Sequence, residues 1–574
     1  MALLRTEILK HIQQAIQKTL GIIVPPEFSV APPENQAHGD YATNAALALA
    51  KALKKNPMEI ANQIAAKLET GSWKAEVAPP GFINFRLKDE ALISGLQKIL
   101  DRSGTWGKSD VGKGKTVVVE YFQLNIAKRP HIGHIRSAII GDAIKRLFLS
   151  QAYHAVSDTH VGDWGTQFGI LLWEIKEQNL TLSFFENLSF DQTFTELENL
   201  YQAGVHRAEN MPGGRERAKA EFAKLEQGDS ENRAIWQWVV EVSMTKLATS
   251  VLRLGLLPFD EHRGESFYED RMQAITELAL EKGVAKKTDD GAVMVDLRNE
   301  GLDEAVLIKS DGASTYLLRD LATIQYRKKQ WDFLENLYVV DVRQFHHFEQ
   351  VFHVAELLGL EGVGQSKHIE FGFMKLPGGP MSTRAGTAIS LESVLSEANS
   401  RARKVIEEKN PDLENKEQVA EMVGLGALKY FDLSHNRKSD IVFRWDEVLS
   451  FEGNTGPYLQ YTHARLRSIL RKIGQERRSQ IKEVEIDLLE HRFIAMLFRF
   501  PEVIEDSLAE FFPNILADYL YKLASLVNEF YHSHPVMQEP DRSKKRLRVE
   551  MVSAAALTLA KGLQLLGIAA PEEM

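Results

Sequence analysis

Hydrophobic and polar positions fall into three successive patterns along the chain. Residues 1–108 begin with helical spacing and end in the β-rich stretch WKAEVAPPGFINFRL, which predicts a compact α+β module. Residues 109–390 alternate short apolar runs with longer helical segments, as α/β domains with a parallel sheet do. Residues 391–574 have amphipathic helical spacing and almost no strand signal, so we expect a helical bundle there.

The central pattern predicts a nucleotide-binding sheet. Its apolar runs are VVVEYF, AVSDTHV, NLYVVDV and HIEFGF, each short enough for a buried parallel strand. The long, charged and mostly helical segment from about 174 to 295 separates the second run from the third. We therefore interpret this segment as an insertion that splits the sheet domain.

The segment VVVEYFQLNIAKRPHIGHIRSAIIGD, residues 117–142, predicts a strand, a loop and a helix. In such a unit the helix N-terminus faces the carboxyl edge of the sheet and favours a phosphate group. Gly133 would let the backbone approach a ligand closely. His131 and His134, three residues apart in the first turn, could then donate hydrogen bonds to phosphate oxygens during in-line displacement.

Other interpretations of these motifs are weaker. Lone histidines are more often surface or core residues than ligands, and a metal site at His131 and His134 has no obvious third ligand nearby. His346, His347 and His353 do not have the HExxH spacing of a zinc site, and His347 fits an ATP pocket better. The stretch SDVGKGKT has Ser109 where a phosphate-binding loop needs its first glycine, so we interpret it as a linker.

Composition narrows the class of protein. The 574 residues carry a formal net charge of −10, so a polyanionic partner must be bound by local basic patches. The chain has no cysteine, which excludes thiol nucleophiles and thiolate metal sites and is compatible with a reducing cytoplasm. No export signal is visible, and the apolar C-terminal stretch MVSAAALTLAKGLQLLGIAA predicts a packed helix instead of a membrane span.

Several of these motifs occur in the order found in one known family. NIAKRPHIGHIRSAIIGD, VGDWGTQFG, DGASTYLLRDLA, MSTRAG and NTGPYLQYTHARLRSIL resemble the arginyl-tRNA synthetases of class I. The resemblance implies a Rossmann-like catalytic domain over 109–390, an N-terminal module that recognises the tRNA D-loop, and a C-terminal anticodon-binding bundle. It also implies a cytoplasmic, usually monomeric ligase that uses ATP with Mg²⁺, arginine and tRNA, has no structural metal, and needs tRNA for adenylate formation.

The resemblance also implies which residues act. The catalytic and ATP-binding positions it implies are His131, Gly133, His134, Met381, Ser382 and Arg384, and to these we add Lys128 and His347 as our own candidates. The arginine-binding positions are Glu120, Asn125, Tyr316, Asp320 and Gln344. On a helix Tyr316 and Asp320 share one face, where a hydroxyl and a carboxylate can bind one guanidinium. Without the resemblance, the default interpretation of this segment is an ordinary helix surface on which Arg319 forms an ion pair.

The chain departs from the family pattern at two places. In the second class I signature, Pro380 and Thr383 replace the lysines that neutralise pyrophosphate, and Gln123 stands where the family often has serine. Because the triphosphate still needs a cation, our hypothesis is that Lys128 supplies the missing charge.

A basic and aromatic pattern near the C-terminus suggests RNA contacts. Tyr458, Tyr461 and Arg465 fall on one helical face, and Arg467, Arg471 and Lys472 would extend its positive field. A tyrosine stripe in the core is the alternative for an isolated helix. By resemblance, tRNA contacts also come from Phe82, Asn84, Tyr531 and Met574, although Phe82 could equally belong to the core.

Two rival functions remain from the sequence. A class I-like nucleotidyltransferase acting on a small molecule would need the 131–134 motif but not the C-terminal bundle. A catalytically impaired tRNA-binding paralogue would explain the missing signature lysines.

Overall fold

The structure is a computed structural model that describes residues 3–68, 71–377, 379–380, 390–474 and 484–574, without the side chains of residues 36, 376, 379 and 380. The N-terminal part is an antiparallel sheet of order β1-β2-β4-β3 covered by helices. Its elements are α1 (Leu4–Leu20), β1 (Val30–Ala31), β2 (Tyr41–Thr43), α2 (Ala45–Leu53), α3 (Pro57–Ala65), β3 (Trp73–Ala78), β4 (Phe82–Leu87) and α4 (Asp89–Asp101). The α+β prediction for this part is confirmed.

The first half of the central sheet follows the predicted strand, loop and helix order. Its elements are β5 (Thr116–Glu120), α5 (Ile132–Ser150), β6 (His154–Asp158) and α6 (Thr166–Glu177). The valines of β5 are fully buried because helices cover both faces of a parallel sheet, as continuous apolar runs predict. Helix α5 is buried nearly all round, including the predicted stripe Ile135, Ile139, Ala143 and Leu147.

The segment between β6 and the next parallel strand is largely helical. It contains α7 (Leu182–Glu186), α8 (Phe190–Asn210), α9 (Gly214–Glu226), α10 (Ser230–Arg253), α11 (Glu269–Glu281), β7 (Ala285–Lys287), β8 (Val293–Val295) and β9 (Ala305–Ile308). The helices agree with the prediction, but the antiparallel sheet β7-β8-β9 was missed. Its strands are three or four residues long, too short for an alternating pattern to stand out.

The chain then returns to the central sheet. The elements here are α12 (Tyr316–Trp331), β10 (Glu335–Tyr338), α13 (Phe345–Leu358), β11 (Ser366–His368), β12 (Met374–Leu376) and β13 (Gly379–Pro380). All neighbours in the order β11-β10-β5-β6 are parallel, which confirms the predicted parallel sheet. The run HIEFGF was placed too late as a strand, because β11 ends at His368, the first residue of that run. The carboxyl ends of β5 and β10 lie side by side, with Glu120 paired in register with Tyr338.

The C-terminal part is a helical bundle, as predicted. It comprises α14 (Leu391–Lys409), α15 (Lys416–Leu433), β14 (Ile441–Val442), α16 (Trp445–Val448), α17 (Gly456–Ile473), α18 (Leu488–Phe498), α19 (Phe500–Ala509), α20 (Pro513–Ser533) and α21 (Arg542–Leu565). The short strand β14 pairs in parallel with β12, which joins the bundle to the sheet domain. Within the described ranges no helix is both long and apolar enough to span a membrane.

Candidate functional site

The predicted phosphate-binding turn lies at the carboxyl edge of the central sheet. His131 is the N-cap of α5, and its Nδ1 accepts a hydrogen bond from the Gly133 N–H at 3.1 Å. The His134 Nδ1 accepts from the His131 N–H at 3.1 Å, and the two rings stack with centroids 3.8 Å apart. A Cβ on Gly133 would lie 2.9 Å from the His131 ring, so a side chain there would displace that ring.

These hydrogen bonds determine which ring nitrogens carry protons. Burial lowers the pKa of His131, and Arg343 lowers it further. Burial, His131 and Lys128 together lower the pKa of His134 to about 3. Both rings are therefore neutral near pH 7, and because each Nδ1 accepts, each Nε2 carries the proton. The turn thus offers two neutral N–H donors, which suit phosphate oxygens.

Lys128 lies in the loop before this turn. Its ammonium sits 4.8 Å from the centre of the Tyr201 ring in α8, and burial lowers its pKa. Its charge reaches His134, but the side chain is directed towards the inserted helices. The second signature residues Met381, Ser382, Thr383 and Arg384 lie outside the described residues.

The predicted arginine-binding pair lies at the start of α12. Tyr316 is the first residue of this helix and is 59% exposed, whereas Asp320, one turn later, is buried. The Asp320 Oδ2 contacts the His347 Nε2 at 2.6 Å. Burial lowers the pKa of His347, but the hydrogen bond and charge of Asp320 outweigh this and raise it. His347 therefore lies against the arginine-binding candidate, a neighbour that the sequence did not predict.

The other arginine-binding candidates are distributed around the same edge. Glu120 is buried and contacts Arg327 at 2.6 Å, and Arg327 also pairs with Asp158 at 2.8 Å. Asn125 is exposed and bridges to Gly162, while Gln344 is exposed in the 3-10 turn Val342–Gln344. Glu120 thus has an internal cation as its main partner, whereas Asn125 and Gln344 are open to a ligand.

A buried ion pair next to the arginine-binding candidates was not predicted from the sequence. Arg319 is 2.5 Å from Glu265, and its guanidinium lies 5.1 Å from the Tyr316 ring centre. Burial raises the pKa of Glu265 to about 7 although Arg319 opposes the shift. Arg319 therefore pairs with Glu265, and Asp320 keeps its carboxylate for other partners. The two residues are 54 positions apart, so no local pattern connects them.

Arg136 fixes the helix of the turn to two other segments. The side chain is 1% exposed. Its Nε donates to Asp432 at 3.1 Å, its Nη1 donates to the carbonyls of Gly372 at 2.6 Å and Ser439 at 3.0 Å, and its Nη2 donates to that of Arg437 at 3.3 Å. One guanidinium therefore connects α5, the segment leading into β12, and the turn after α15.

Helix α17 carries the predicted RNA-facing residues. Tyr461 is 43% exposed, and the Arg465 guanidinium lies 4.2 Å from the ring centre of Tyr531 on α20. Tyr458 is half-buried, and its hydroxyl accepts a hydrogen bond from Asn528. Tyr461, Arg465 and Tyr531 therefore form an aromatic and basic surface, whereas Tyr458 packs partly against the core.

The predicted positive field along this helix needs correction. Arg467 pairs with Glu572 at 2.6 Å, and Arg471 pairs with Glu573 at 3.0 Å, so the C-terminal tail neutralises both. The tail acids come about 100 residues later in the chain, which is why the local pattern overestimated the charge. Met574 is partly buried, and its carbonyl accepts a hydrogen bond from Asn410.

In the N-terminal part, Phe82 and Asn84 lie on the outer face of β4. Phe82 is 37% exposed and Asn84 is partly exposed, while the alternating residues Ile83 and Phe85 are buried. The core alternative for Phe82 therefore does not hold.

Comparison with protein families covers nearly the whole chain. The family described as tRNA synthetases class I (R), catalytic domain, matches residues 95–445. The arginyl tRNA synthetase N terminal domain matches residues 6–87, and the DALR anticodon binding domain matches residues 459–574. The chain belongs to the arginyl-tRNA synthetases. The catalytic match ends at residue 445, beyond the predicted domain boundary at residue 390, and the pairing of β12 with β14 crosses the same boundary.

Individual relatives match over nearly their whole length. The arginine–tRNA ligase of Halothermothrix orenii is 37% identical over 552 residues, which cover 96% of either chain. The arginine–tRNA ligase of Lactococcus lactis subsp. cremoris strain SK11 is 38% identical and covers 94% of this chain and 95% of its own. The solved arginyl-tRNA synthetase of Thermus thermophilus superposes over 100% of both chains with a TM-score of 0.82 and 29% identity. These relatives favour an active synthetase over an impaired paralogue.

Proposed function

We propose that this synthetase joins L-arginine to its tRNA in two steps at the carboxyl edge of the central sheet. In the first step, the arginine carboxylate attacks the α-phosphate of ATP, and arginyl-adenylate forms as pyrophosphate leaves. In the second step, a terminal ribose hydroxyl of the tRNA attacks the arginyl carbonyl, and AMP leaves. The observation that carries the proposal is the pair of neutral Nε2–H donors of His131 and His134 on the cap of α5.

In this proposal the two imidazoles bind the phosphate oxygens that gain charge during displacement. Neutral donors of fixed orientation stabilise that charge without a change of protonation state. Gly133 supports them because a side chain there would displace the His131 ring. We retain Lys128 as a candidate triphosphate ligand, together with the second-signature residues Met381, Ser382 and Arg384.

The substrate guanidinium is proposed to bind at Asp320 and Tyr316. One carboxylate oxygen of Asp320 contacts His347, and within the described residues the other has no hydrogen-bond partner. A buried carboxylate with one open oxygen suits a planar cationic donor. Asn125 and Gln344 would contact the amino-acid end, and Glu120, paired with Arg327, remains a candidate second acidic partner.

The tRNA is proposed to contact two exposed surfaces. One is formed by Tyr458, Tyr461, Arg465, Tyr531 and Met574 near α17, and the other by Phe82 and Asn84 on β4. Exposed aromatic rings provide stacking surfaces for unpaired bases. We also retain 1–108, 109–390 and 391–574 as the proposed division of labour between D-loop recognition, catalysis and anticodon binding.

Magnesium is proposed to arrive with ATP. Asp341 is the carboxylate whose charge reaches His134, and both of its oxygens accept hydrogen bonds from Arg343. This donor set favours an ion held mainly by substrate phosphates, the common arrangement for Mg²⁺. In the described ranges, the cluster of Asp487, Glu490 and His534 has ligand atoms close together, but Lys544 and Arg548 already pair with Glu490.

We further propose that the protein is a cytoplasmic monomer.

The decisive experiment is ATP–pyrophosphate exchange with arginine, with and without arginine tRNA, using lysine as the control amino acid. We expect exchange with arginine in the presence of tRNA and none with lysine. Exchange without tRNA would contradict the tRNA requirement. Tight tRNA binding without any exchange would favour the impaired paralogue, and activity that survives deletion of the helical bundle would favour a small-molecule nucleotidyltransferase.

A further inference from the structure

An arginine fork, in which one guanidinium makes two hydrogen bonds to one carboxylate, lies beside the histidine turn. Arg343 follows β10 in the turn Val342–Gln344, whose N-cap is Asp341. The Asp341 carboxylate accepts hydrogen bonds from the Arg343 Nε at 2.9 Å and from its Nη2 at 2.7 Å. It also accepts from the Arg343 backbone N–H at 2.9 Å. The guanidinium is therefore held in one orientation by a bidentate pair.

The position of this fork is set by the sheet. Because β10 and β5 are parallel neighbours, the segments that follow them meet at the same edge. The charge of Arg343 acts on His131, and the charge of Asp341 acts on His134. The guanidinium also lies 5.1 Å from the ring centre of Phe373, in the segment that leads into β12. It thus lies at the same sheet edge as the histidine turn and next to the segment that leads into β12.

The guanidinium faces outward although it is paired. The Arg343 side chain is 70% exposed, whereas that of Asp341 is 22% exposed, so an incoming ligand meets the cation first. Two of the five guanidinium N–H groups point at Asp341, which leaves three for another acceptor. This is the arrangement expected for recognition of a phosphate group.

Other nearby cations are engaged elsewhere. The Lys128 ammonium lies over Tyr201, and Arg129 is bound by Glu198 and Thr195. Lys375, on β12, pairs with Asp440 at 2.6 Å. Compared with these three, Arg343 combines exposure, a fixed orientation and proximity to His131.

We propose that Arg343 binds the pyrophosphate part of ATP beside His131 and supplies positive charge that Pro380 and Thr383 do not provide in the second signature. The inference rests on the proposed function, because it requires ATP to bind at this edge. It assigns Arg343 a role in the activation step and none in transfer to tRNA, since pyrophosphate has left by then and only the α-phosphate remains, in the adenylate.

The chain contains a matched control for this test. Arg298 forms the same Asp-x-Arg fork with Asp296, with Nε at 2.8 Å and Nη2 at 2.6 Å, and is 67% exposed. It lies after β8, outside the parallel sheet. The variants are therefore Arg343→Gln, Arg343→Lys and Arg298→Gln, all in the full chain.

The measurement is ATP–pyrophosphate exchange at saturating arginine and tRNA with varied ATP. We expect Arg343→Gln to lower kcat/KM for ATP by about thirtyfold, and Arg343→Lys to lose less because it keeps the charge. Arg298→Gln should stay within about twofold of wild type. Transfer of arginine from isolated arginyl-adenylate to tRNA should be unchanged in all three variants, which a general folding defect would not allow.

Three outcomes would overturn the inference. These are exchange by Arg343→Gln within about threefold of wild type, an equal loss in Arg298→Gln, or an equal loss in the transfer step. Failure of the wild-type enzyme to exchange under any condition would instead contradict the proposed function itself. Lys128→Ala in the same assay separates the two candidate cations, since a loss there with full activity in Arg343→Gln assigns the charge to Lys128.

Discussion

The sheet edge and the α17 surface both use arginine–carboxylate pairs, but with opposite burial. Arg327, paired with Glu120 and Asp158, has 0% side-chain exposure, whereas Arg467 and its partner Glu572 are 41% and 59% exposed. Breaking a buried pair leaves an uncompensated charge, whereas an exposed pair contributes about 0–1 kcal/mol. The proposed catalytic edge is therefore fixed by its charges, whereas the charged residues of the proposed RNA-binding surface can exchange partners.

The largest effect is expected from Arg327→Leu. This change leaves the carboxylates of Glu120 and Asp158 buried together without a cation, so we expect a loss of about 3–5 kcal/mol in the free energy of unfolding. Urea titration followed by tryptophan fluorescence measures it. Arg467→Leu is the exposed control and should cost no more than about 1 kcal/mol. Similar losses in both variants would remove the distinction between the two regions.

Asp320→Asn tests whether a buried carboxylate binds the substrate. Loss of the charge facing a guanidinium should lower kcat/KM for arginine by about a hundredfold, with KM for ATP nearly unchanged. Aminoacylation at varied arginine measures this effect. Asp311→Asn is the control. Asp311 lies just before α12, the helix that carries Asp320, and its exposed carboxylate pairs with Lys219, so this variant should retain wild-type kinetics. Wild-type arginine kinetics in Asp320→Asn would place the guanidinium elsewhere.

The neutral state of His134 predicts a pH dependence of stability. The native pKa is about 3 and the ordinary value is 6.5, so between these values the unfolded chain binds the extra proton. Stability that His134 supports at pH 7 is therefore lost as the pH falls through this window. His134→Gln keeps an N3 acceptor for the cap and should remove this loss, amounting to about 1.4 kcal/mol per pH unit below 6.5.

Urea titrations at pH 6 and pH 5 measure this difference. Identical pH slopes in His134→Gln and wild type would mean that His134 is charged in the native protein. Histidines with a lowered pKa that do not contact His134, such as His463 and His262, contribute equally to both proteins and cancel in the comparison.

The smallest effect is expected from Glu572→Gln. Removing this acid frees Arg467 for an RNA phosphate, so the slope of log tRNA affinity against log salt should become steeper by about 0.7–0.9. The free energy of unfolding should change by less than about 1 kcal/mol. Fluorescence anisotropy at several salt concentrations measures the slope, and Glu397→Gln, which releases Arg401 on α14, is the control. An unchanged slope would place Arg467 away from the RNA.

Sequence patterns predicted those parts of the protein that depend on local order. The buried valines of β5 and the start of α5 near the two histidines follow from short-range periodicity, whereas the N-cap role of His131 was not predicted. The carboxyl-edge rule could also have indicated Asp158 and Asp341, which follow or end parallel strands. The pairing of Arg136 with Asp432 spans 296 positions, and that of Arg319 with Glu265 spans 54. Only the folded chain brings these together, so they were beyond a local analysis.

The hydrogen bonds of Arg136 have an entropic consequence for catalysis. Because one buried side chain holds α5, the segment at Gly372 and the turn at Ser439, their relative positions are fixed when the protein folds. Ordering these segments therefore costs conformational entropy once, during folding, and does not recur in each catalytic cycle. The free energy of nucleotide binding remains available for the reacting phosphates, which is the thermodynamic advantage of preorganisation.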